Sequence, residues 1–139
     1  MAVHARMLLR WLLGALILAT GVGKALDVGG FAGVLADYRL GLEVDALSML
    51  ALLVCAVEIG LGAWLLSGWR LHRAAATAMA LNATYCVLMT TALLRGLQLD
   101  NCGCFGVYFP SPLRWYSPLE DLALVAVSWV LMRLAPRAM

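Results

Sequence analysis

Four stretches of about twenty mainly apolar residues, at roughly 8–26, 46–68, 75–95 and 118–135, fill most of this chain, and each is long enough to cross the ~30 Å hydrocarbon core of a bilayer. A chain of 139 residues cannot hide that much apolar surface in its own interior, because small domains keep a large share of their surface exposed. Hydrophobic residues make up 64% and charged residues 13% of the sequence, against roughly 45–50% and about 25% in ordinary globular proteins. The solvent for this surface is lipid. The expected fold is therefore an all-α membrane protein, a four-transmembrane-helix bundle forming a single domain over 1–139, with the lipid bilayer as its first partner. A net charge of +2 with scattered basic residues gives no footing for nucleic acid. Four cysteines are too few and too unevenly placed for a secreted disulfide scaffold.

Local signals place the boundaries. Trp69-Arg70-Leu71-His72-Arg73-Ala74 reads as a tight polar turn between the second and third spans. Ser117, Pro118 and Glu120 have the spacing of a capping box with proline at the first helical position, a start signal for the last span. Arg6 and Arg10 precede the first apolar stretch as they would in a signal peptide, but no convincing small-x-small cleavage site follows. That stretch is expected to remain as a span.

Arg6, Arg10, Arg70, Arg73, Arg133 and Arg137 fall on one side of the four-span layout, and Lys24, Arg39, Arg95 and Arg114 on the other. The excess of basic residues favours the first side as cytoplasmic, with both termini inside. Two loops, 27–45 and 96–117, then face out. Within the first, Phe31, Val34, Leu35 and Tyr38 follow the i, i+3, i+4, i+7 spacing of one apolar helical face. A short amphipathic helix is expected there, lying on the outer membrane surface or plugging the mouth of the bundle. In the second loop Tyr108, Phe109, Trp115 and Tyr116 read as an interfacial aromatic belt.

The chemistry sits at Asn101-Cys102-Gly103-Cys104-Phe105-Gly106. Residues two apart can bring their Cα atoms to the ~5.5–6 Å of a disulfide, and the intervening glycine removes steric resistance to the backbone this requires. A ring so small is strained and easily reduced, which is the mark of labile or catalytic disulfides. Thiol–disulfide exchange in an oxidising outer compartment is the sharpest reading of Cys102 and Cys104. The same sulfurs could instead receive a soft ion such as Cu(I), making the protein a soft-metal carrier. A third alternative is a non-catalytic assembly factor whose cysteines only shape the loop.

Cys55 and Cys86 lie inside the second and third spans, each on the order of 12–14 Å below the outer helix ends at 1.5 Å per residue. Matching depth makes them a candidate second redox pair; the alternative is two inert cysteines packing as small hydrophobes. Glu58 is an acid well inside a span, three residues from Cys55, where an ionisable group is costly and usually has a partner or a task. It is a candidate proton relay for a reacting thiol, or else a carboxyl hydrogen-bonded to Asn82 or Tyr85. Lys24 is expected to snorkel outward and pair with Asp27. His4 and His72 read as interfacial charges at cytoplasmic helix ends. The sequence has no metal-ligand spacing of the zinc type and no nucleophile–base arrangement. An inward electron route would need a quinone, for which the sequence has no signature.

With Gly21-Val22-Gly23-Lys24-Ala25-Leu26-Asp27 closing the first span, Glu58 inside the second and Asn-Cys-Gly-Cys-Phe-Gly after the third, the chain resembles the MauE branch of the DoxX-like membrane proteins over essentially its whole length. The resemblance implies a protein of the bacterial cytoplasmic membrane that assists maturation of a secreted, disulfide-containing client, the small subunit of methylamine dehydrogenase, together with a thioredoxin-like partner. It implies Cys102 and Cys104 as the redox pair and Lys24 and Glu58 as family-typical polar positions. Cys55 and Cys86 lie outside the pattern.

Overall fold

A computed structural model describes residues 1–137 as five helices with no strand among them. They are α1 (Ala2–Ala25), α2 (Val28–Asp37), α3 (Val44–Ser67), α4 (Leu71–Leu94) and α5 (Ser117–Leu134). Three of them, α1, α3 and α4, are long and apolar enough to cross a membrane. Over the fourth expected span runs α5, 18 residues long and so about 27 Å at 1.5 Å per residue. Its charges are confined to the ends, Glu120 and Asp121 near the start and Arg133 in the last turn.

The outer faces of the helices are apolar. Leu8, Trp11, Leu12, Met49, Leu52 and Leu53 are all exposed, a pattern that only a lipid environment satisfies. The closest pairings are α1 with α3 and α4 with α5, with α2 laid on α3. Gly62 lets α3 approach α1 closely, since a side chain there would run into the backbone of Leu18. Small residues at such a crossing are how helices gain contact when lipid removes the hydrophobic drive to associate.

Two apolar clusters fill the bundle. One holds Leu13, Ile17, Leu61, Leu65, Ala75 and Leu131 near the chain ends. The other, at the opposite end, gathers Phe31, Val34, Leu35, Tyr38, Leu47 and Leu99. In the sequence of each long helix, the buried polar residues Lys24, Glu58, Asn82 and Asp121 lie between or beside these clusters and form a polar layer inside the membrane domain.

The turn after α3 is made by Gly68 at φ +75° and Arg70 at φ +46°. Arg10 of α1 packs against Gly68, and His72 Nδ1 donates to the Met132 carbonyl at 2.9 Å. These contacts gather the start of α1, the 68–70 turn and the end of α5 at one end of the bundle. Helix α2 and the segment 95–116 occupy the other.

The amphipathic stretch expected at 27–45 is α2, and it plugs the bundle. Phe31, Val34, Leu35 and Tyr38 are all buried. Asp27 caps it by accepting the Gly30 N–H at 2.8 Å, which satisfies one of the orphan donors of the first turn. The capping box expected at Ser117 does not form. Ser117 Oγ accepts the Arg114 N–H at 2.9 Å, and α5 starts from Tyr116 without a side-chain cap, with Pro118 in its first turn. The hydroxyl is used to close the preceding loop instead.

Candidate functional site

Lys24 is the largest departure from expectation. It neither snorkels nor pairs with Asp27. Its ammonium is buried and donates to both Glu58 carboxylate oxygens at 2.6 Å. Only the Gly23–Lys24 side of the last turn of α1 is covered, by Phe31 of α2 and the backbone of Phe105, while Val22 and Leu26 stay exposed. The rings of Tyr85 and Phe31 flank the ammonium, at 5.2 and 5.7 Å to their centroids, adding cation–π attraction to the ion pair. Tyr85 also donates its hydroxyl to Glu58 Oε1 at 2.9 Å. Asn82, the other partner considered for Glu58, turns its amide to the Ala78 carbonyl at 3.0 Å. Glu58 thus accepts three bonds from two side chains, with both oxygens engaged.

Above this pair lies the Cys102–Cys104 turn. The two sulfurs are 2.9 Å apart, held by a dense backbone brace. Asn101 is its hub: its side-chain oxygen accepts from the amides of Gly103 (3.0 Å) and Ser111 (3.3 Å), and its amide donates to the Gly106 carbonyl at 3.1 Å. Cys102 N–H donates to the Ser111 carbonyl at 2.7 Å. Tyr38 of α2 donates its hydroxyl to the Cys102 carbonyl at 2.6 Å. Arg95, ending α4, donates to the carbonyls of Tyr38 and Arg39, each at 2.8 Å. Burial pushes the Tyr38 phenol well above its ordinary range, so it stays a neutral donor.

Two glycines make the seat. Gly103 adopts φ +85°, and a Cβ there would lie 2.9 Å from Val34 Cγ1. At Gly23 of α1 a Cβ would come within 2.5 Å of the Phe105 carbonyl oxygen. The backbone of Phe105 and Gly106 therefore rests directly on the end of α1, one residue from Lys24.

The thiols point inward, although their loop caps the end of the bundle that α2 occupies. Cys102 is buried and Cys104 half-buried. Cys104 borders two cavities. A cavity of about 230 Å³ is lined also by Lys24, Glu58, Asn82, Tyr85 and Asp121. An apolar one of about 250 Å³ is lined also by Phe31, Leu35, Tyr38, Leu88 and Cys102. The Cys104 thiol donates to Cys102, and this bond, helped by nearby backbone amides and opposed by burial, holds the Cys102 thiol down to about 6. The same donation, with burial and the negative charges of Cys102 and Asp121, drives Cys104 upward. At neutral pH the arrangement is one thiolate beside one thiol, the starting state for a nucleophile and its resolving partner.

Cys55 and Cys86 are not brought together. Cys55 packs in the cluster under α2, while the Cys86 thiol donates to the Pro118 carbonyl of α5 at 3.4 Å. Equal depth did not give equal direction around the helices. His4 is exposed at the start of α1. Tyr108, Phe109, Trp115 and Tyr116 are exposed around the loop. Asp121, Tyr38 and Asn101 were not singled out for the site from the sequence; an Asp within the first turns of an apolar span was the available signal for Asp121.

The sequence model of the family described as methylamine utilisation protein MauE matches residues 3–134. The methylamine utilization protein MauE of Paracoccus denitrificans is 29% identical over 130 residues, which cover 94% of this chain and 69% of that protein. No solved structure matches the chain.

Proposed function

The chain belongs to the MauE family, and from that premise we propose that it is a membrane thiol–disulfide exchange protein serving methylamine utilisation, using Cys102 and Cys104 to pass electrons between a thioredoxin-like protein and a secreted client whose disulfides must form. The observation that carries this reading is the pair of sulfurs held 2.9 Å apart in a braced turn with one thiol poised as thiolate.

In one direction of exchange, the Cys102 thiolate attacks a disulfide sulfur of the partner and releases one partner thiolate, leaving a mixed disulfide. Cys104 loses its proton and attacks Cys102 Sγ. The Cys102–Cys104 bond forms and the second partner thiolate leaves. Two electrons pass from this protein to the partner, whose thiolates take protons from solvent. The reverse sequence runs through the same species. In this reading the Lys24–Glu58 pair anchors the floor under the turn, and the Lys24 charge favours the Cys104 thiolate across the cavity they share.

The end of the bundle that gathers Arg10, Arg70, Arg73 and Arg133 faces the cytoplasm in this reading, in keeping with the rule that basic residues stay inside. The roofed end then faces the oxidising compartment of a bacterial cytoplasmic membrane.

Thiol trapping across a redox titration of the full-length protein tests the proposal. A reversible two-electron midpoint assigned to residues 102 and 104 is expected. Unimpaired client disulfide formation with Cys102→Ser/Cys104→Ser would overturn it.

A further inference from the structure

The sulfur chemistry leaves one proton without a destination, that of Cys104. Glu58 is already charge-paired and bonded, with two bonds from Lys24 and one from Tyr85 on its oxygens, which makes it the poorer acceptor. A different carboxyl borders the same cavity as Cys104. Asp121, in the second turn of α5, is 7% exposed, lines that cavity and has a buried Oδ2 with no hydrogen-bond partner. A buried carboxylate oxygen left unpaired is expensive, and natural structures seldom carry one without a use.

We propose that Asp121 is the proton acceptor for Cys104 when it resolves the mixed disulfide, a step that rests on the exchange reading above. As the Cys104 sulfur attacks Cys102 Sγ, its proton passes across the shared cavity to the Asp121 carboxylate; the Cys102–Cys104 bond forms and the partner's thiolate departs. In reverse, Asp121 as the acid returns that proton to Cys104 as the disulfide opens. Glu120, exposed beside it and lining the same cavity, gives the proton an exit to solvent.

The charges around Asp121 suit this task. Lys24 of α1 holds a positive charge on the same cavity, already matched by Glu58 of α3. Tyr85 of α4 presents its ring and its hydroxyl is committed to Glu58. Cys86 of α4 is committed to the Pro118 carbonyl. Cys102 and Glu120 are in electrostatic reach, as are Cys104 and Tyr38 of α2. Asp121 alone among the carboxyls lining the cavity is both buried and missing a partner at one oxygen.

The test is site-resolved alkylation by iodoacetamide of the full-length protein in detergent, in a Cys102→Ser background, with peptide mass spectrometry reading residue 104 across pH. A limb that follows ionisation of a carboxyl is expected. Asp121→Asn should slow the reaction near neutral pH on the order of a hundred-fold, as loss of a general base does, leaving only a rise with hydroxide. Asp121→Glu should restore the limb. A profile without that limb in the Asp121-containing protein overturns the proposal before any variant is made, as does an unchanged rate in Asp121→Asn. The assay needs no disulfide partner: cycling of the cysteine pair without the limb leaves exchange standing and Asp121 excluded, whereas the limb without cycling overturns exchange, and the resolving step with it, and leaves Asp121 only as a base towards Cys104.

Discussion

Lys24 and Glu58 meet inside the bundle, the ammonium 2.6 Å from each carboxylate oxygen and both residues almost free of solvent contact. A pair this deep is costly to break from one side only, since the survivor is left as a bare buried charge. Glu58→Ala is expected to destabilise the protein by about 3–5 kcal/mol, seen as a large fall in thermal unfolding temperature in detergent. Lys24→Met/Glu58→Met should regain most of that loss. A Glu58→Ala protein as stable as the parent would show that the pair is not what holds the roof to the floor.

Cys102, lowered to about 6 by the Cys104 donor, should be alkylated with a rate that climbs through pH 6 and is level by neutrality, unlike a free thiol near 8.5. Cys104→Ala removes the donor and should move the midpoint up towards that ordinary value. A midpoint unaffected by Cys104→Ala would mean the two sulfurs do not share a proton.

The same shifts give stability a pH dependence. Between about pH 6 and roughly 8.5 the folded state holds fewer protons at Cys102 than the unfolded chain, so stability from this group is full above that window and lost as pH falls through 6. Cys104, raised on folding, works the other way: above roughly 8.5 the unfolded chain gives up a proton that the folded state keeps. Reduced protein should therefore be most stable in mildly alkaline buffer, losing stability to either side, and Cys102→Ala/Cys104→Ala should flatten that curve in denaturant titrations.

Tyr38→Phe removes the hydroxyl bound to the Cys102 carbonyl at 2.6 Å and should cost about 1 kcal/mol, the usual worth of one such bond. Its sharper readout is faster alkylation of Cys102 as the brace between α2 and the turn loosens. An unchanged alkylation rate would place the control of access elsewhere.

Gly103→Ala should be more damaging. Its backbone is in the left-handed region and its missing Cβ would meet Val34, adding steric conflict to a conformational cost of roughly 1–2 kcal/mol. Mild oxidation should then yield much less Cys102–Cys104 crosslink, counted by the thiols that remain alkylatable.

The helices were legible because a bilayer permits few alternatives: apolar runs of the right length have to be spans or be buried. Helix α2 was legible for a related reason, since Phe31, Val34, Leu35 and Tyr38 mark one face at helical spacing. Cys102 and Cys104 announced themselves by separation alone. Rotation about a helix axis was not legible. Cys55 and Cys86 match in depth, yet one looks toward α2 and the other toward α5, and nearly all-apolar helices carry too little periodicity to fix that angle. Lys24 misled because its helix end resembles one at the membrane surface; only tertiary packing brings α2 and the 95–116 segment over it. Glu120 drew the eye as a capping residue, and its neighbour Asp121 is the one the fold buries.

The seat of Phe105–Gly106 on Gly23 ties the thiols' cover to the helix that carries Lys24. A side chain at position 23 would push Phe105 and Gly106 away from α1, one residue from the buried Lys24–Glu58 pair. One bulky substitution in that helix would thus disturb the thiol turn and the buried charges together.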